Sequence, residues 1–350
     1  MISIEKSSQT KIDKTDFDNL TFGQVFTDHM MISDFKDGEW HEPVIKPYGP
    51  LSIDPSARVF HYGQAVFEGM KAYKDKDEKI WMFRPEQNFE RINASSKRLA
   101  IPEFPKDFFF NGLETLLKLE KDWIKQGFGN SLYIRPFVIA TEAGVSASPA
   151  KEYKFMIICS PAQSYYSGEV RVKFSDKFSR AADGGVGFAK AAGNYGAQFY
   201  PTNLAKEEGY QQIVWTDANS HEYLEEAGTM NIFFRIGDKL ITAPISDRIL
   251  DGVTRKSVIA LAERMNIPME VRKVTVQEIL EAADSGNLKE MFGSGTATVI
   301  NPITGFGNKG KNYDLPKLED SYAHAFKDTL MKIQYNEAED PFGWRYEVKE

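Results

Sequence analysis

Gly184-Gly-Val-Gly-Phe-Ala-Lys190-Ala-Ala-Gly-Asn-Tyr-Gly196 sets a single lysine among five glycines and three alanines. Small neighbours leave its amine approachable. An amine used for Schiff-base chemistry has to lose its proton near neutral pH, and burial among small uncharged groups favours this by penalising the ammonium form. The same stretch also reads as a flexible glycine loop carrying a solvated lysine. Tyr195, five residues on, falls near the start of a helix expected over 194–208, either reaching back toward whatever the lysine holds or simply packed.

Three further segments point the same way when read together. Leu224-Glu-Glu-Ala-Gly-Thr-Met-Asn231 puts two carboxylates just before an apolar strand, in a glycine-bearing turn of the kind that presents functional side chains; a solvated turn suits Glu225 better than Glu226. Leu250-Asp-Gly-Val-Thr-Arg-Lys256 places two cations in the first turn of a helix, where the helix dipole already favours negative charge. An anion bound to the N–H groups there, beside Thr254, removes the conflict, and cations pointing into solvent remove it equally. Phe292-Gly-Ser-Gly-Thr-Ala297 closes a strand with small and hydroxyl residues suited to donating to an oxyanion. An amine, a carboxylate, a phenol and an anion seat are the set that a phosphorylated aldehyde cofactor requires.

Outward from these segments, the first half alternates strands and helices without a repeat. Residues 58–73 and the run Ile80-Trp-Met-Phe83, separated by a polar turn, read as a strand hairpin. Pro85 opens a helix that carries Arg91 and stops at Pro102, and a broad stripe from Phe109 to Trp123 predicts a second helix over 105–125. Residues 131–140 and 153–159 are β-rich, with Pro136 demoting its strand to an edge or a bulge. The second half reads as the helix 194–208, strands at 212–215, 230–234 and 240–242, the last two joined at Gly237-Asp238, a helix after Gly252, another over 276–283 and a strand near Met291. The expected division is an α+β domain over 1–166, an interdomain loop over 167–176 and a domain over 177–350.

The chain has 350 residues, 42% hydrophobic and 13% aromatic, with a net charge of −7. It can fill two cores and is neither disordered nor low in complexity. An overall negative charge gives no field to attract a nucleic-acid backbone. The one cysteine, Cys159, cannot make an internal disulfide and sits in the apolar run 155–159, which fits a reducing cytosol. The N-terminus lacks the apolar run of a signal peptide, and no stretch approaches a membrane span. A soluble, cytoplasmic enzyme is expected.

Two nucleotide-like motifs fail on inspection. Gly305 to Lys311 has the spacing of a phosphate-binding loop, but Asn312 stands where a magnesium-binding hydroxyl belongs, and Tyr313-Asp-Leu-Pro316 cannot open the helix such a loop needs. Gly185-Val-Gly187 starts like a dinucleotide fingerprint without its third glycine or its acidic residue. The five histidines, at 29, 41, 61, 221 and 324, have no ligand spacing, so no metal site is expected.

Five motifs, in order, resemble the branched-chain amino-acid aminotransferases of the class IV pyridoxal-phosphate enzymes: Tyr62-Gly-Gln-Ala-Val-Phe-Glu-Gly-Met-Lys-Ala-Tyr73, Leu132-Tyr-Ile-Arg-Pro136, Lys190-Ala-Ala-Gly-Asn-Tyr-Gly196, Glu226-Ala-Gly-Thr-Met-Asn231 and Gly293-Ser-Gly-Thr-Ala297. The resemblance implies a two-domain α/β and α+β chain of fold type IV, with a small α+β N-terminal domain and a larger C-terminal domain built on a barrel-like mixed sheet. It implies pyridoxal 5′-phosphate held covalently by Lys190, which also moves the substrate's proton. Glu226 faces the pyridine nitrogen, Tyr195 the ring hydroxyl, with Thr229 in support and Leu250 against the ring; Arg91, the amides of Val253 and Thr254, and Thr296 take the phosphate. The substrate carboxylates fall to Tyr62, Tyr133, Arg135 and the Thr296-Ala297 turn, and the apolar side chain to Phe67 and Tyr165. The implied reaction passes the amino group of leucine, isoleucine or valine to 2-oxoglutarate in a homodimer. The motifs Glu68 to Tyr73 and Asn194-Tyr-Gly196 favour this branch over a D-amino-acid aminotransferase or an aminodeoxychorismate lyase. Thr298-Val-Ile-Asn301 lacks the Cys-x-x-Cys of mammalian members, so no redox switch is expected there.

Overall fold

The computed structural model describes residues 2–163 and 170–349. The chain forms two compact units. The first gathers Met1–Tyr165 with Ala189–Gly193 and Met331–Glu350; the second gathers Tyr166–Phe188 and Asn194–Leu330. Lys190 thus groups with the N-terminal half, and with its two later segments the first unit holds more of the chain than the second. Within the stretch read as an interdomain loop, Arg171–Phe174 is a strand, because Val172 and Phe174 alternate into the core of the second unit.

The first unit is built on a ten-stranded sheet among the described residues, ordered Ser3–Ile4, Val44–Pro47, His29–Lys36, Tyr153–Ala162, Ser131–Ala140, Met70–Lys74, Ile80–Phe83 and Arg345–Val348. Glu39–Trp40 adds to His29–Lys36, and Ala65–Phe67 to Ser131–Ala140. The helices Pro85–Arg98 and Lys106–Leu119 supply Phe89, Ile92, Phe109, Leu113 and Leu116 to a core shared with Ile134, Val138 and Phe155. The second helix ends at Leu119, earlier than expected, and a 3-10 turn, Lys121–Trp123, buries Trp123 instead.

Pro136 lies in the middle of the sheet, contrary to the edge position expected. Ser131–Ala140 pairs with Tyr153–Ala162 along its whole length, so the missing N–H has to be absorbed on the other side. There the partner is interrupted: Ala65–Phe67 pairs with Phe137 to Ile139, Met70–Lys74 pairs with Leu132 to Ile134, and Glu68-Gly69 fall in the gap. The Pro136 carbonyl still accepts the Glu68 N–H at 2.7 Å. The expected irregularity is present, displaced onto the neighbouring strand.

The second unit carries an eleven-stranded mixed sheet among the described residues, ordered Met269–Val271, Lys239–Thr242, Met230–Ile236, Tyr223–Ala227, Gln212–Thr216, Arg171–Phe174, Gly305–Asn308 and Lys311–Asp314. Leu288–Gly295 also pairs Met230–Ile236 and Val299–Ile303, and Val274–Thr275 pairs Tyr223–Ala227. Arg171–Phe174 runs parallel to both neighbours, the other central ladders antiparallel. The helices Val253–Arg264 and Val276–Asp284 begin where the sequence predicts, whereas 194–208 divides into Ala192–Gly196 and Phe199–Glu207. Gly305 to Lys311 forms a β-hairpin with Gly310 at φ +81° and leads directly into the strand Lys311–Asp314 instead of a helix, which removes the phosphate-loop reading. Among the described residues no helix is long and apolar enough to cross a membrane.

Candidate active site

In the first unit Lys190 is pinned by its backbone. Its N–H donates to Ser95 Oγ at 2.9 Å, and its carbonyl accepts the Phe67 N–H at 3.1 Å. Ala191 bridges to Val66. The side chain is half-buried, with Nζ 4.6 Å from the Phe67 ring centroid. Its surroundings are therefore not merely small and uncharged: an aromatic face lies over it, and the Glu68 carboxylate feels its charge.

Arg91 meets Glu68 edge-on, Nε to Oε1 at 2.6 Å and Nη2 to Oε2 at 2.9 Å. Asn88 Nδ2 and the Gly69 N–H donate to the same Oε2, at 2.7 Å and 3.1 Å. Burial alone pushes the Glu68 carboxyl up, but the Arg91 guanidinium first, then the Lys190 charge and the Asn88 amide, outweigh it and hold the group below the usual carboxylate range. Asn88, Arg91 and Ser95 follow i, i+3, i+7 spacing, so one face of the helix Pro85–Arg98 carries all three. That polar spacing marks the helix face in the sequence, but nothing local pairs it with Glu68.

Phe67 serves a second cation. Arg135 Cζ lies 4.6 Å from its ring centroid and 5.3 Å from that of Tyr133, and Arg135 Nη2 donates to Tyr133 Oη at 2.9 Å. Arg135 Nε is buried and has no hydrogen-bond partner among the described residues. Tyr62 is exposed and its hydroxyl donates to the Val145 carbonyl. Tyr165 lies outside the described residues.

The second unit holds the acidic residues. Glu225 and Glu226 are on the strand Tyr223–Ala227 and not in the turn, which consists of Gly228 and Thr229 alone, with Gly228 at φ +47°. The solvated reading of Glu225 is corrected: it is 3% exposed and paired with Arg248, while burial raises its carboxyl pKa against the Arg248 hydrogen bond and charge. Glu226 Oε1 lies 2.7 Å from Arg180 Nε, both side chains nearly inaccessible. Its Oε2 accepts the Leu250 N–H at 2.9 Å and the Asn231 amide at 3.4 Å, and Asn231 also donates to the Leu250 carbonyl at 2.9 Å. Arg180 is far in sequence from Glu226, as Asn231 is from Leu250, so neither pairing has a local signal, whereas Asn231 closes the same motif that Glu226 opens.

Glu226, Asn231 and Ser294 stand in register across three adjacent strands. Ser294 Oγ, 2% exposed, has no hydrogen-bond partner among the described residues. Thr296 and Ala297 lie in the turn after Leu288–Gly295, half-buried, closed by Val299 at φ +60°, a strained angle for a β-branched residue. The helix Val253–Arg264 starts at Gly252 with no side-chain cap, and Val253 and Thr254 are buried in its first turn. Neither cation of that turn points freely to solvent: Arg255 is buried and donates to the Ala243 carbonyl, and Lys256 pairs with Asp251 at 2.6 Å. Tyr195 is half-buried within Ala192–Gly196, late in that short helix and not at the start of a long one.

Residues 65–306 match the family model for amino-transferase class IV. The chain belongs to the class IV aminotransferases. It is 43% identical to branched-chain-amino-acid transaminase 1 of Bacillus subtilis, over 99% of both chains. It is 40% identical to a branched-chain-amino-acid aminotransferase of Mycolicibacterium smegmatis, over 93% of this chain and 91% of that one. Among solved structures, the branched-chain aminotransferase of Thermoproteus uzoniensis superposes with a TM-score of 0.74 at 23% identity, covering 91% of this chain and all of the other. The Escherichia coli branched-chain amino acid aminotransferase gives 0.73 at 22%, covering 91% and 99%. These likenesses establish the class IV fold, an α+β unit and a barrel-like mixed-sheet unit.

The cofactor implied for a class IV aminotransferase is pyridoxal phosphate, and each unit, taken by itself, carries groups of the kind it needs. In the second, a buried hydroxyl, Ser294, with no hydrogen-bond partner among the described residues, lines up with an arginine-backed carboxylate, and an uncapped helix start offers N–H groups to an anion. In the first, a lysine has its backbone fixed to Ser95 and an arginine of the same helix is locked by Glu68.

Proposed function

We propose that this aminotransferase moves the amino group of leucine, isoleucine or valine to 2-oxoglutarate, giving the branched 2-oxo acid and glutamate, with pyridoxal phosphate bound to a cytoplasmic homodimer. The observation that carries the substrate class is 43% identity, end to end, with a branched-chain-amino-acid transaminase. When bound, pyridoxal phosphate supplies an electron sink for the pair left by the departing Cα proton.

Lys190 would hold the cofactor through its amine and would serve as the base that moves the substrate's Cα proton. The Phe67 and Ser95 hydrogen bonds hold its backbone through this transfer. Glu226, backed by Arg180, faces the pyridine nitrogen and holds the proton there. Tyr195 donates to the ring hydroxyl with Thr229 in support, and Leu250 packs against the ring. Arg91, Thr296 and the N–H groups of Val253 and Thr254 bind the phosphate. Tyr62, the Thr296-Ala297 turn and Tyr133 take the substrate α-carboxylate. Arg135 takes the distal carboxylate of glutamate, and its stacking on Phe67 leaves an apolar wall for an aliphatic side chain. Tyr165 completes that wall.

The test is the visible spectrum of the purified protein with L-leucine and then 2-oxoglutarate added. The expected result is a yellow band, bleached by leucine and restored by the oxo acid, and absent in Lys190→Ala. A yellow protein silent to leucine redirects the reading to another class IV activity; one colourless with added pyridoxal phosphate refutes it.

A further inference from the structure

The dipeptide Phe67-Glu68 touches both residues that this reading assigns to opposite ends of the cofactor. Phe67 fixes the Lys190 carbonyl through its N–H and lies against Nζ with its ring. Glu68, wholly buried, grips the Arg91 guanidinium with both oxygens. Asn88 and the Gly69 N–H add two more donors, so the carboxylate has little freedom to turn. Its location depends on Pro136: the missing N–H opens the gap between Ala65–Phe67 and Met70–Lys74, and Glu68 fills it with its N–H on the Pro136 carbonyl.

We propose that Glu68 is a positioning residue that sets the guanidinium of Arg91, as anchor for a phosphate monoester, in a fixed orientation relative to Lys190. The inference rests on the roles proposed above for Lys190 and Arg91. Replacing Glu68 by glutamine keeps the shape but turns one acceptor oxygen into an N–H2 group facing guanidinium donors, and the guanidinium has to swing away. The Lys190 backbone bonds are untouched, because Phe67 and Ser95 make them. The Lys190 charge loses a neighbouring carboxylate whichever ligand is bound, so the loss specific to the guanidinium's orientation falls on ligands that carry the phosphate. Removing the carboxylate also unmasks positive charge, which by itself tightens phosphate binding; net weakening therefore reports orientation.

The experiment uses the full chain freed of cofactor and titrated, in separate series, with pyridoxal phosphate and with pyridoxal, following the visible band. In Glu68→Gln the dissociation constant for pyridoxal phosphate is expected to rise by about tenfold or more while that for pyridoxal changes less than about twofold. Adding Glu68→Gln to Arg91→Lys is expected to cost little further. Should Glu68→Gln fail to fold, Asn88→Ala, which loosens the same carboxylate, is expected to show the same discrimination at smaller size. Equal weakening of both ligands, unchanged affinity, tighter phosphate binding, or full additivity with Arg91→Lys overturns the proposal. If the unmodified chain shows no Lys190-dependent band at all, the cofactor reading itself has failed, which is a separate outcome.

Discussion

Gly69→Ala places a methyl group against the one hydroxyl that organises Arg135. A Cβ there collides with Tyr133 Oη and stands 3.0 Å from its Cζ. Ordinary carbon contacts need about 3.5–4.0 Å, so the phenol has to retreat by roughly half an ångström to one ångström. Retreat is obstructed, because Tyr133 is 9% exposed and meets Phe22 edge-on at 4.8 Å. Overpacking of this kind costs about 1–3 kcal/mol of stability. It also stretches the 2.9 Å bond from Arg135 Nη2 to Tyr133 Oη and shifts the guanidinium that serves the distal carboxylate. Loss of one charge-assisted bond, about 1.5–3 kcal/mol, predicts that kcat/KM for 2-oxoglutarate falls about tenfold or more. Any loss through Tyr133 at the α-carboxylate is common to both substrates, whereas leucine has no distal carboxylate for Arg135, so its half-reaction should fall less than that of 2-oxoglutarate. Single-turnover measurement of each half-reaction, with urea unfolding alongside, separates the two effects. Equal losses in both half-reactions, or an unchanged unfolding midpoint, refute the reasoning.

Arg180→Met leaves Glu226 buried without its cation and is expected to destabilise the protein by about 3–5 kcal/mol, read from denaturant unfolding at unchanged slope. Gly252→Ala drives a methyl into Asn231 Oδ1, and the displaced amide should release both Leu250 and Glu226; turnover is expected to fall with cofactor affinity, measured by titration of the visible band. Stability should drop in acid through Asp217: burial opposes its ionisation, but the N–H groups of Tyr223, Ser220 and Glu222 and the Ser220 hydroxyl prevail and hold its pKa at about 2. A depressed carboxyl pKa contributes fully above the unfolded value near 4 and is lost as pH falls toward 2, and after allowance for solvent screening it amounts to about 1 kcal/mol. Asp217→Asn should flatten that part of the pH–stability curve, and an unchanged curve removes the assignment.

Local signals carried a large share of this protein. Lys190 among small residues, Pro85 at a helix start and the apolar stripe through Phe109, Leu113 and Leu116 are short-range patterns, and sequence alone determined from them the order of the motifs and the starts of several helices, though not where 105–125 ends or that 194–208 divides. Tertiary structure decided what lies far apart along the chain. Glu68 with Arg91, Glu226 with Arg180 and Asn231 with Leu250 meet only because strands and helices bring them into hydrogen-bond range. No local rule reveals that Glu225, next to a glycine-bearing turn, is buried against Arg248. Pro136 shows the physical reason most directly. A missing N–H is written in the sequence, but whether it disqualifies a central strand depends on whether the neighbouring strand leaves a gap opposite it, and that gap exists only once the sheet has formed.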